Sequence, residues 1–221
     1  MWIAAELVGC DAAKRLERTR HERASLLSFV GEPLTRSVRP CMAKGNMRNA
    51  KEQEITFRRA TVADSAAVAR VHVQSWRESF KGIVPQSFLD KMSVQDRARA
   101  FRKRFHDDDY RMFIAETTKN TVIGFADSGK PRQIDRPYQA ELYAIYLLRD
   151  FQRQGVGGKL FALGVESLVA DGMNSMYVLT LEASPYKSFY EKMGGRVVDR
   201  EAIMIGGLKY TELVYGWNSL S

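Results

Sequence analysis

Three glycines at the head of one helix constrain the fold of this chain more than any other feature. In QGVGGKLFALGVESLVADG the residues from Lys159 onward have helical spacing, and Gly155, Gly157 and Gly158 precede them. A glycine within a helical turn costs roughly 1 kcal/mol relative to alanine. The first amides of a helix have no intrahelical partner and carry partial positive charge. Glycines at this place therefore predict an anion that approaches the backbone where a Cβ atom would stand in the way.

The spacing of these glycines distinguishes between phosphate-binding motifs. The dinucleotide pattern G-x-G-x-x-G fails because Leu160 occupies the third glycine position. The P-loop pattern fails because Arg153 stands at its first glycine and Leu160 at its Ser/Thr position. The pattern Q/R-x-x-G-x-G/A does fit, through Gln152, Gly155 and Gly157. From the pattern alone, a glycine-rich turn that only permits close packing of helix and strand stays an open alternative.

The segments around this helix show strand and helix patterns in a regular order. EITFRRA reads as a strand, and a helix capped by Asp64 follows, broken by KGIVP before VQDRARAFRKRF resumes helical spacing. A hairpin is predicted for MFIAET and TVIGFAD, and a central strand for AELYAIYLL. A further strand is predicted for SMYVLTLE and a helix for YKSFYEKMG. A final strand pair is predicted for RVVDREAIMI and YTELVYGW. The order β-α-α-β-β-β-α-β-α-β-β predicts an α/β domain with a mixed central sheet flanked by helices.

The first part of the chain has a different composition. Residues 1–53 contain DAAKRLERTRHERASLLSF, which could form a polar helix, and then a segment with Pro33, Pro40 and few large apolar residues. Such a segment buries little apolar surface, so it predicts a mobile N-terminal extension. Residues 54–221 are then the folded domain.

Composition makes several classes of function less favoured. The net charge of +8 favours acidic ligands without choosing among them. The sequence lacks a block of basic residues interleaved with aromatic residues, so a dedicated nucleic-acid surface is not expected. Both cysteines, Cys10 and Cys41, precede the predicted domain, which fits a reducing, cytoplasmic compartment. No apolar run reaches the ~18 residues of a membrane span. No metal site is expected, because ligand spacing is absent among His21, His72 and His106.

The glycine loop and its surroundings resemble the GNAT N-acetyltransferase superfamily. Residues 152–157 look like that family's acyl-CoA pyrophosphate loop, directly after the strand ELYAIYLL. The stretch SFYEKMGG resembles the family helix FYEKLGF. The first two helices of a bacterial branch of the family resemble ATVADSAAVARVHVQSWRESFKGIVPQSFLD, and the last strand of that branch resembles VYGW. The resemblance covers residues 55–217. It implies a GNAT-like fold, acetyl-CoA as co-substrate, and acetyl transfer to a primary amine of a small molecule or protein by direct attack in a ternary complex.

The same resemblance implies where acetyl-CoA binds. Its pantetheine would pair with backbone groups of Ile145, Tyr146 and Leu147. Many relatives carry a cofactor-contacting asparagine where this chain has Ala183, and the neighbouring Ser184 could substitute for it. The implied pyrophosphate loop consists of Gln152, Arg153, Gln154, Gly155, Val156, Gly157 and Gly158.

Two catalytic roles are implied as well. Tyr190 occupies the family's tyrosine position, and a phenol with a pKa near 10 can protonate the departing thiolate. The alternative is an aromatic that only packs beside Phe189. Glu141 stands four residues ahead of Ile145, where several family members carry a basic glutamate, and is the candidate general base. Its alternative is a structural or surface carboxylate, and Tyr143 on the same strand face could share the task.

The acceptor is the least defined partner. It would enter near the break after the first helix, but the side chains there are as consistent with core packing or solvation. They are Trp76, Arg77, Glu78, Phe80 and Lys81. Two other functions stay open: a non-catalytic acyl-CoA-binding sensor or scaffold module, and an acetylase of aminoacyl-tRNA, suggested only by the basic charge. A homodimer also stays open.

Overall fold

The structure, a computed structural model, describes residues 54–220. The predicted extension of residues 1–53, with Cys10, Cys41 and His21, lies outside the described residues. Within residues 54–220, strands and helices alternate in the predicted order, with one short helix in addition, Gln86–Lys91.

A single sheet with helices on both faces organises the described part of the chain. Strands β1 to β7 are Ile55–Arg59, Arg111–Thr117, Val122–Gly129, Ala140–Leu147, Met176–Leu181, Arg196–Ile205 and Leu208–Trp217. Helices α1 to α5 are Ser65–Ser79, Gln86–Lys91, Val94–Arg104, Val156–Ala170 and Lys187–Lys192. Short 3-10 helices occur at Val62–Asp64 and Arg149–Phe151.

The sheet is mixed, as the sequence predicts. Its strand order is β1-β2-β3-β4-β5-β7-β6, and β4–β5 is parallel while the other neighbours are antiparallel. The predicted hairpin turn near Asn120 is confirmed by the positive φ of 58° at that residue, and Gly206 and Gly207 turn β6 into β7 with φ of 58° and 84°. Glycine adopts such angles without steric cost.

Strands β4 and β5 pair at one end only. Ala140 lies opposite Met176 and Glu141 opposite Tyr177, and no further pairs join the two strands. Beyond that point β4 stays on β3, where a register shift leaves Tyr143 as the extra residue of a bulge. Strand β5 instead pairs along its length with β7. Because a bulge bends its strand and increases the local twist, a gap opens between β4 and β5.

Each face of the sheet has its own core. Helix α4 packs on one face, with Leu160 and Leu168 fully buried, and Tyr190 of α5 belongs to the same cluster. Helices α1 and α3 cover the other face, where Val68 and Phe101 pack on β2 and β3. Burying such side chains stabilises the domain by about 1.5–3 kcal/mol each. The gap between β4 and β5 therefore connects two differently lined faces.

A local signal fixes the start of α3. Ser93 is its N-cap, and the Ser93 hydroxyl accepts a hydrogen bond from the Asp96 amide at 3.2 Å.

Across residues 54–220, no helix has the length and apolar character needed to cross a membrane.

Candidate active site

The gap between β4 and β5 opens into a cavity of about 440 Å³. Gly157 and Tyr190 line it on the α4–α5 side, and His72 and Trp76 line it on the α1–α3 side. The structure brings together most of the site residues that the sequence predicts. Those on the cavity wall are Ile145, Tyr146, Leu147, Gln152, Arg153, Gly155, Gly157, Gly158, Ser184 and Tyr190. Gln154, Val156 and Glu141 are not among its lining residues.

The glycines at the head of α4 are not required by packing. Gly155 is the N-cap with φ of 83°, a left-handed conformation, and Arg153 before it has φ of 63°. Among residues 54–220, a Cβ atom at Gly155 or Gly158 would meet no atom within 4 Å, and one at Gly157 would meet only the Phe189 ring, at 3.5 Å. Close helix–strand packing therefore does not explain them. No side chain of residues 54–220 caps the helix, so its first amides can bind an anion in the space that the glycines leave.

The free edge of β4 presents alternate backbone groups to the gap. The Leu148 amide donates to the Ile123 carbonyl of β3 at 2.9 Å. Because backbone groups alternate in direction along an antiparallel strand, those of Tyr146 also point to β3, and those of Ile145 and Leu147 point to the gap. Of the three predicted contacts to pantetheine, the register thus favours Ile145 and Leu147. The side-chain amide of Gln152 donates to the Leu147 carbonyl at 3.0 Å.

Three further predicted cofactor residues have distinct surroundings. Gln154 is exposed, and its side-chain amide donates to the Asp150 carbonyl at 2.8 Å. The side chain of Val156 is buried in the core beside α4, so only its backbone amide is suited to a ligand. Ser184 is buried on the cavity wall, and its hydroxyl accepts from the Tyr186 amide at 3.3 Å.

Tyr190 combines burial with an unengaged hydroxyl. Its ring packs against Phe189 and Tyr215, with centroids 5.5 and 5.6 Å away. Among residues 54–220, nothing hydrogen-bonds its Oη atom. Burial raises the pKa of Tyr190 well above its usual value, so the phenol stays protonated at physiological pH. The group can therefore donate a proton or a hydrogen bond to an atom in the cavity.

Glu141 does not have the surroundings of a general base. Its carboxylate is 1% exposed and accepts from the Arg132 amide at 3.0 Å, from Arg132 Nε at 2.9 Å, and from the Tyr177 hydroxyl at 2.8 Å. Arg132 Nη2 is a further donor to it. A carboxylate held in this way has no free oxygen for substrate, so the structure favours the structural alternative. Tyr143 does line the cavity, and its hydroxyl donates to the Lys130 carbonyl at 2.6 Å.

A second carboxylate, which the sequence reading missed, lies on the cavity wall. Glu212 of β7 is 2% exposed, and its buried Oε1 atom has no hydrogen-bond partner among residues 54–220. Burial raises the pKa of Glu212 above its usual value. The sequence TELVYGW carries only a partial signal, because a lone glutamate precedes a mostly apolar run, and the run does not show that this residue reaches a cavity. A charged group in such a run needs either a partner or a function.

Unpartnered polar atoms concentrate in this cavity. A buried polar group without a partner costs roughly 1–3 kcal/mol. Residues 54–220 contain six such side-chain atoms, and four belong to residues that line the cavity. The four are His72 Nδ1, Ser75 Oγ, Asp127 Oδ1 and Glu212 Oε1, whereas Thr117 and Ser128, which carry the other two, do not line it. The cavity is therefore built to satisfy polar atoms with a ligand or with water.

The predicted acceptor residues divide into two groups. Trp76 and Phe80 line the cavity, and the Trp76 indole donates to the Tyr146 hydroxyl at 2.7 Å. Arg77 donates to the carbonyls of Leu89 and Met92 and does not line it. Glu78 and Lys81 are not lining residues either.

Comparison with known proteins identifies the family. A family model described as Acetyltransferase (GNAT) family matches residues 73–195. The chain belongs to the GNAT acetyltransferase family. The uncharacterized N-acetyltransferase YuaI of Bacillus subtilis (strain 168) is 35% identical over 167 residues, which are 76% of this chain and 95% of YuaI. The protein is therefore an acyltransferase of the GNAT type.

Solved structures show the same fold. The PaiA N-acetyltransferase of Thermoplasma acidophilum, solved with coenzyme A, is 19% identical with a TM-score of 0.57 and covers 74% of this chain and 98% of its own. YncA from Salmonella typhimurium, solved with acetyl-CoA, is 19% identical with a TM-score of 0.59 and covers 76% and 95%. At this identity the likeness shows the GNAT fold alone.

Proposed function

We propose that the protein transfers the acetyl group of acetyl-CoA to a primary amine by direct attack in a ternary complex, within the cavity between β4 and β5. One observation carries the proposal. The free edge of β4 and the uncapped N-terminus of α4 border the same cavity that Tyr190 and Glu212 line. The neighbours solved with coenzyme A and acetyl-CoA support this choice of co-substrate.

The chain offers acetyl-CoA mostly backbone groups. The amides of Val156, Gly157 and Gly158 would hold the pyrophosphate, because they begin α4 and the glycines leave space beside them. The backbone groups of Ile145 and Leu147 would pair with the amides of pantetheine. The thioester would then lie deeper in the gap, between the residues that line the two sides of the sheet.

The reaction requires two proton movements. The amine nitrogen attacks the thioester carbon, a C–N bond forms, and the C–S bond breaks. The nitrogen loses a proton, which the Glu212 carboxylate accepts directly or through a water molecule, and the thiolate of CoA takes the proton of Tyr190 Oη. The acetylated amine and CoA thiol leave, and solvent restores both side chains. Each proton transfer contributes ~10²–10⁴-fold in rate when its group is well placed.

Glu212 suits the basic role better than Glu141. Glu212 lines the cavity and has a buried oxygen without a partner among residues 54–220, and its raised pKa makes its carboxylate a stronger base than an ordinary glutamate. Glu141 is instead ion-paired to Arg132. Tyr190 suits the acidic role because its burial keeps the phenol protonated.

The test is amine-dependent release of free CoA. The full-length protein is incubated with acetyl-CoA and a panel of primary amines, and the acetylated product is identified by mass spectrometry. We expect release of CoA to require an amine and to yield its N-acetyl derivative. Tight binding of acetyl-CoA without release for any amine would instead support a non-catalytic acyl-CoA sensor.

A further inference from the structure

Three of the unpartnered polar atoms lie on one wall of the cavity. His72 and Ser75 are three residues apart on α1 and so share one helix face. Asp127 comes from β3, beneath that helix. The three residues are 7%, 2% and 1% exposed, so bulk water does not reach them freely. Their unpartnered atoms are Nδ1, Oγ and Oδ1.

Asp127 is the member of this set that requires a hydrogen-bond donor from a ligand, and Ser75 and His72 can each accept one as well. Asp127 Oδ1 can only accept while the carboxylate is ionised, and a serine hydroxyl accepts as readily as it donates. Burial and the charges of Arg97 and Arg104 lower the pKa of His72 well below its usual value, so the imidazole is neutral and one of its nitrogens is an acceptor. A ligand group placed here must therefore carry an O–H or N–H bond.

The charges around the wall disfavour an ionic group. The other oxygen of Asp127 accepts from Arg104 at 3.1 Å and from the Tyr110 hydroxyl at 2.9 Å, so this carboxylate already has a cation beside it. Arg132 also borders the cavity. A second ammonium would meet these guanidinium groups, and a carboxylate would bring no donor for Asp127. An uncharged donor meets both conditions.

This wall faces Glu212 across the gap. Asp127 lies on the β3–β4 side of the opening, and Glu212 lies on the β5–β7 side, opposite Leu181. We propose that the acceptor is a small primary amine with a second, uncharged hydrogen-bond donor, a hydroxyl or amide group, which binds to His72, Ser75 and Asp127. The proposal rests on the function given above, because it places the reacting amine at Glu212.

The test compares amines that differ only at their far end. The series is pentylamine, aminopentanol, diaminopentane and aminopentanoate, each with a terminal primary amine, together with the corresponding shorter and longer chains. At the best length we expect kcat/KM for the amino alcohol to exceed that of the other three by about tenfold, the value of one or two hydrogen bonds. Equal or better rates for the alkylamine, the diamine or the amino acid would overturn the proposal.

Two serine variants test whether the preference for the amino alcohol depends on the side chains of this wall or on any loss of a buried hydroxyl. Ser75→Ala removes one proposed partner, so the advantage of amino alcohol over alkylamine should fall to about threefold. Ser128→Ala is the matched control, because Ser128 is an equally buried serine with an unpartnered hydroxyl that does not line the cavity. The advantage should stay near tenfold in it. An unchanged ratio in Ser75→Ala would contradict the assignment of this serine to the ligand.

A binding measurement makes the result independent of turnover. Calorimetry on the full-length protein saturated with CoA gives the Kd of each amine without chemistry. A tighter Kd for the amino alcohol supports the donor-binding wall even if no amine is acetylated, in which case only the proposed function fails. Equal Kd values across the four end groups would overturn the inference even if acetyl transfer occurs.

Discussion

Arg132 holds Glu141 by its backbone and its side chain together. The Arg132 amide donates to Oε2 of Glu141 at 3.0 Å, and Arg132 Nε donates to Oε1 at 2.9 Å. The Tyr177 hydroxyl completes the set at 2.8 Å. This pair fastens the loop between β3 and β4 to the only point at which β4 and β5 are joined. Glu141 thus stabilises the base of the gap.

Replacing Glu141 should therefore reduce stability. Glu141→Gln leaves the largely buried Arg132 guanidinium without its counter-charge, and breaking such a pair costs about 3 kcal/mol. Urea unfolding of the variant should show a lower midpoint with an unchanged m-value. Tyr177→Phe is a milder variant for comparison, because it removes one hydrogen bond to the same carboxylate. It should lower the free energy of unfolding by about 1.5 kcal/mol. A Glu141→Gln protein as stable as wild type would mean that the pair contributes no net stability.

Gly158 should make the helix less stable than alanine would and should permit tighter binding of acetyl-CoA. Gly158→Ala adds a Cβ atom that meets no atom of residues 54–220 within 4 Å, in a helix where alanine is favoured over glycine by up to about 1 kcal/mol. The variant should melt at or above the wild-type temperature. Its Kd for acetyl-CoA should rise about tenfold, because the methyl group occupies the approach to the first amides of α4.

Gly164→Ala provides the control within the same helix. Its added Cβ atom would lie 4.0 Å from Leu142, in the middle of α4 and away from the cavity lining. It should raise stability and leave acetyl-CoA binding as in wild type. If calorimetry gives the same Kd for both alanine variants, the pyrophosphate does not bind at Gly158.

Removing the Tyr190 hydroxyl should affect rate and not stability. The hydroxyl makes no hydrogen bond within residues 54–220, so Tyr190→Phe should change the free energy of unfolding by less than about 0.5 kcal/mol. The rate of acetyl transfer should fall roughly 10²-fold, most at high pH where protons from solvent are scarce. Tyr215→Phe is the contrasting variant, since this neighbouring hydroxyl donates to Glu191 at 2.9 Å outside the cavity lining. Equal rate losses in both would reduce Tyr190 to a packing role.

The sequence predicts those features that depend on local pattern. The order of strands and helices, the mixed sheet, and the loop before α4 follow from periodicity, glycine placement and resemblance. Most of the residues predicted to bind the cofactor lie between Ile145 and Gly158, so one nearly continuous stretch of sequence was enough to propose them.

The side of the cavity that is proposed to bind the acceptor could not be predicted in the same way. Glu212 meets the cavity because β7 inserts between β5 and β6, and Asp127 meets it because a bulge displaces β4. Both are long-range consequences of strand pairing. The sequence leaves Glu141 open as a candidate base or a structural carboxylate, because nothing local reveals that Arg132 folds back onto it. The buried His72 likewise resembles any helix residue until α3 and β3 pack around it.

Glu212 should make the protein less stable as the pH rises. Its folded-state pKa is raised by burial, so the folded protein binds this proton more tightly than the unfolded chain. The stability due to that proton is complete below the unfolded pKa and is lost as the pH rises through the folded pKa. Glu212→Gln is uncharged throughout and should melt higher than wild type at neutral pH. A melting temperature that falls equally for both proteins between about pH 4 and pH 8 would contradict the burial of an unpartnered carboxylate.

The most direct test of the proposed reaction is the pH–rate profile of Glu212→Gln beside that of Glu141→Gln, each with the best amine. Above the pKa of Glu212 and below that of the amine, Glu212→Gln should lose ~10²–10⁴-fold in kcat/KM, and the loss should shrink as rising pH supplies free amine. Folded Glu141→Gln should keep the shape of the wild-type profile. A wild-type profile in Glu212→Gln, with a pH-dependent loss in Glu141→Gln, would contradict the account and make Glu141 the base.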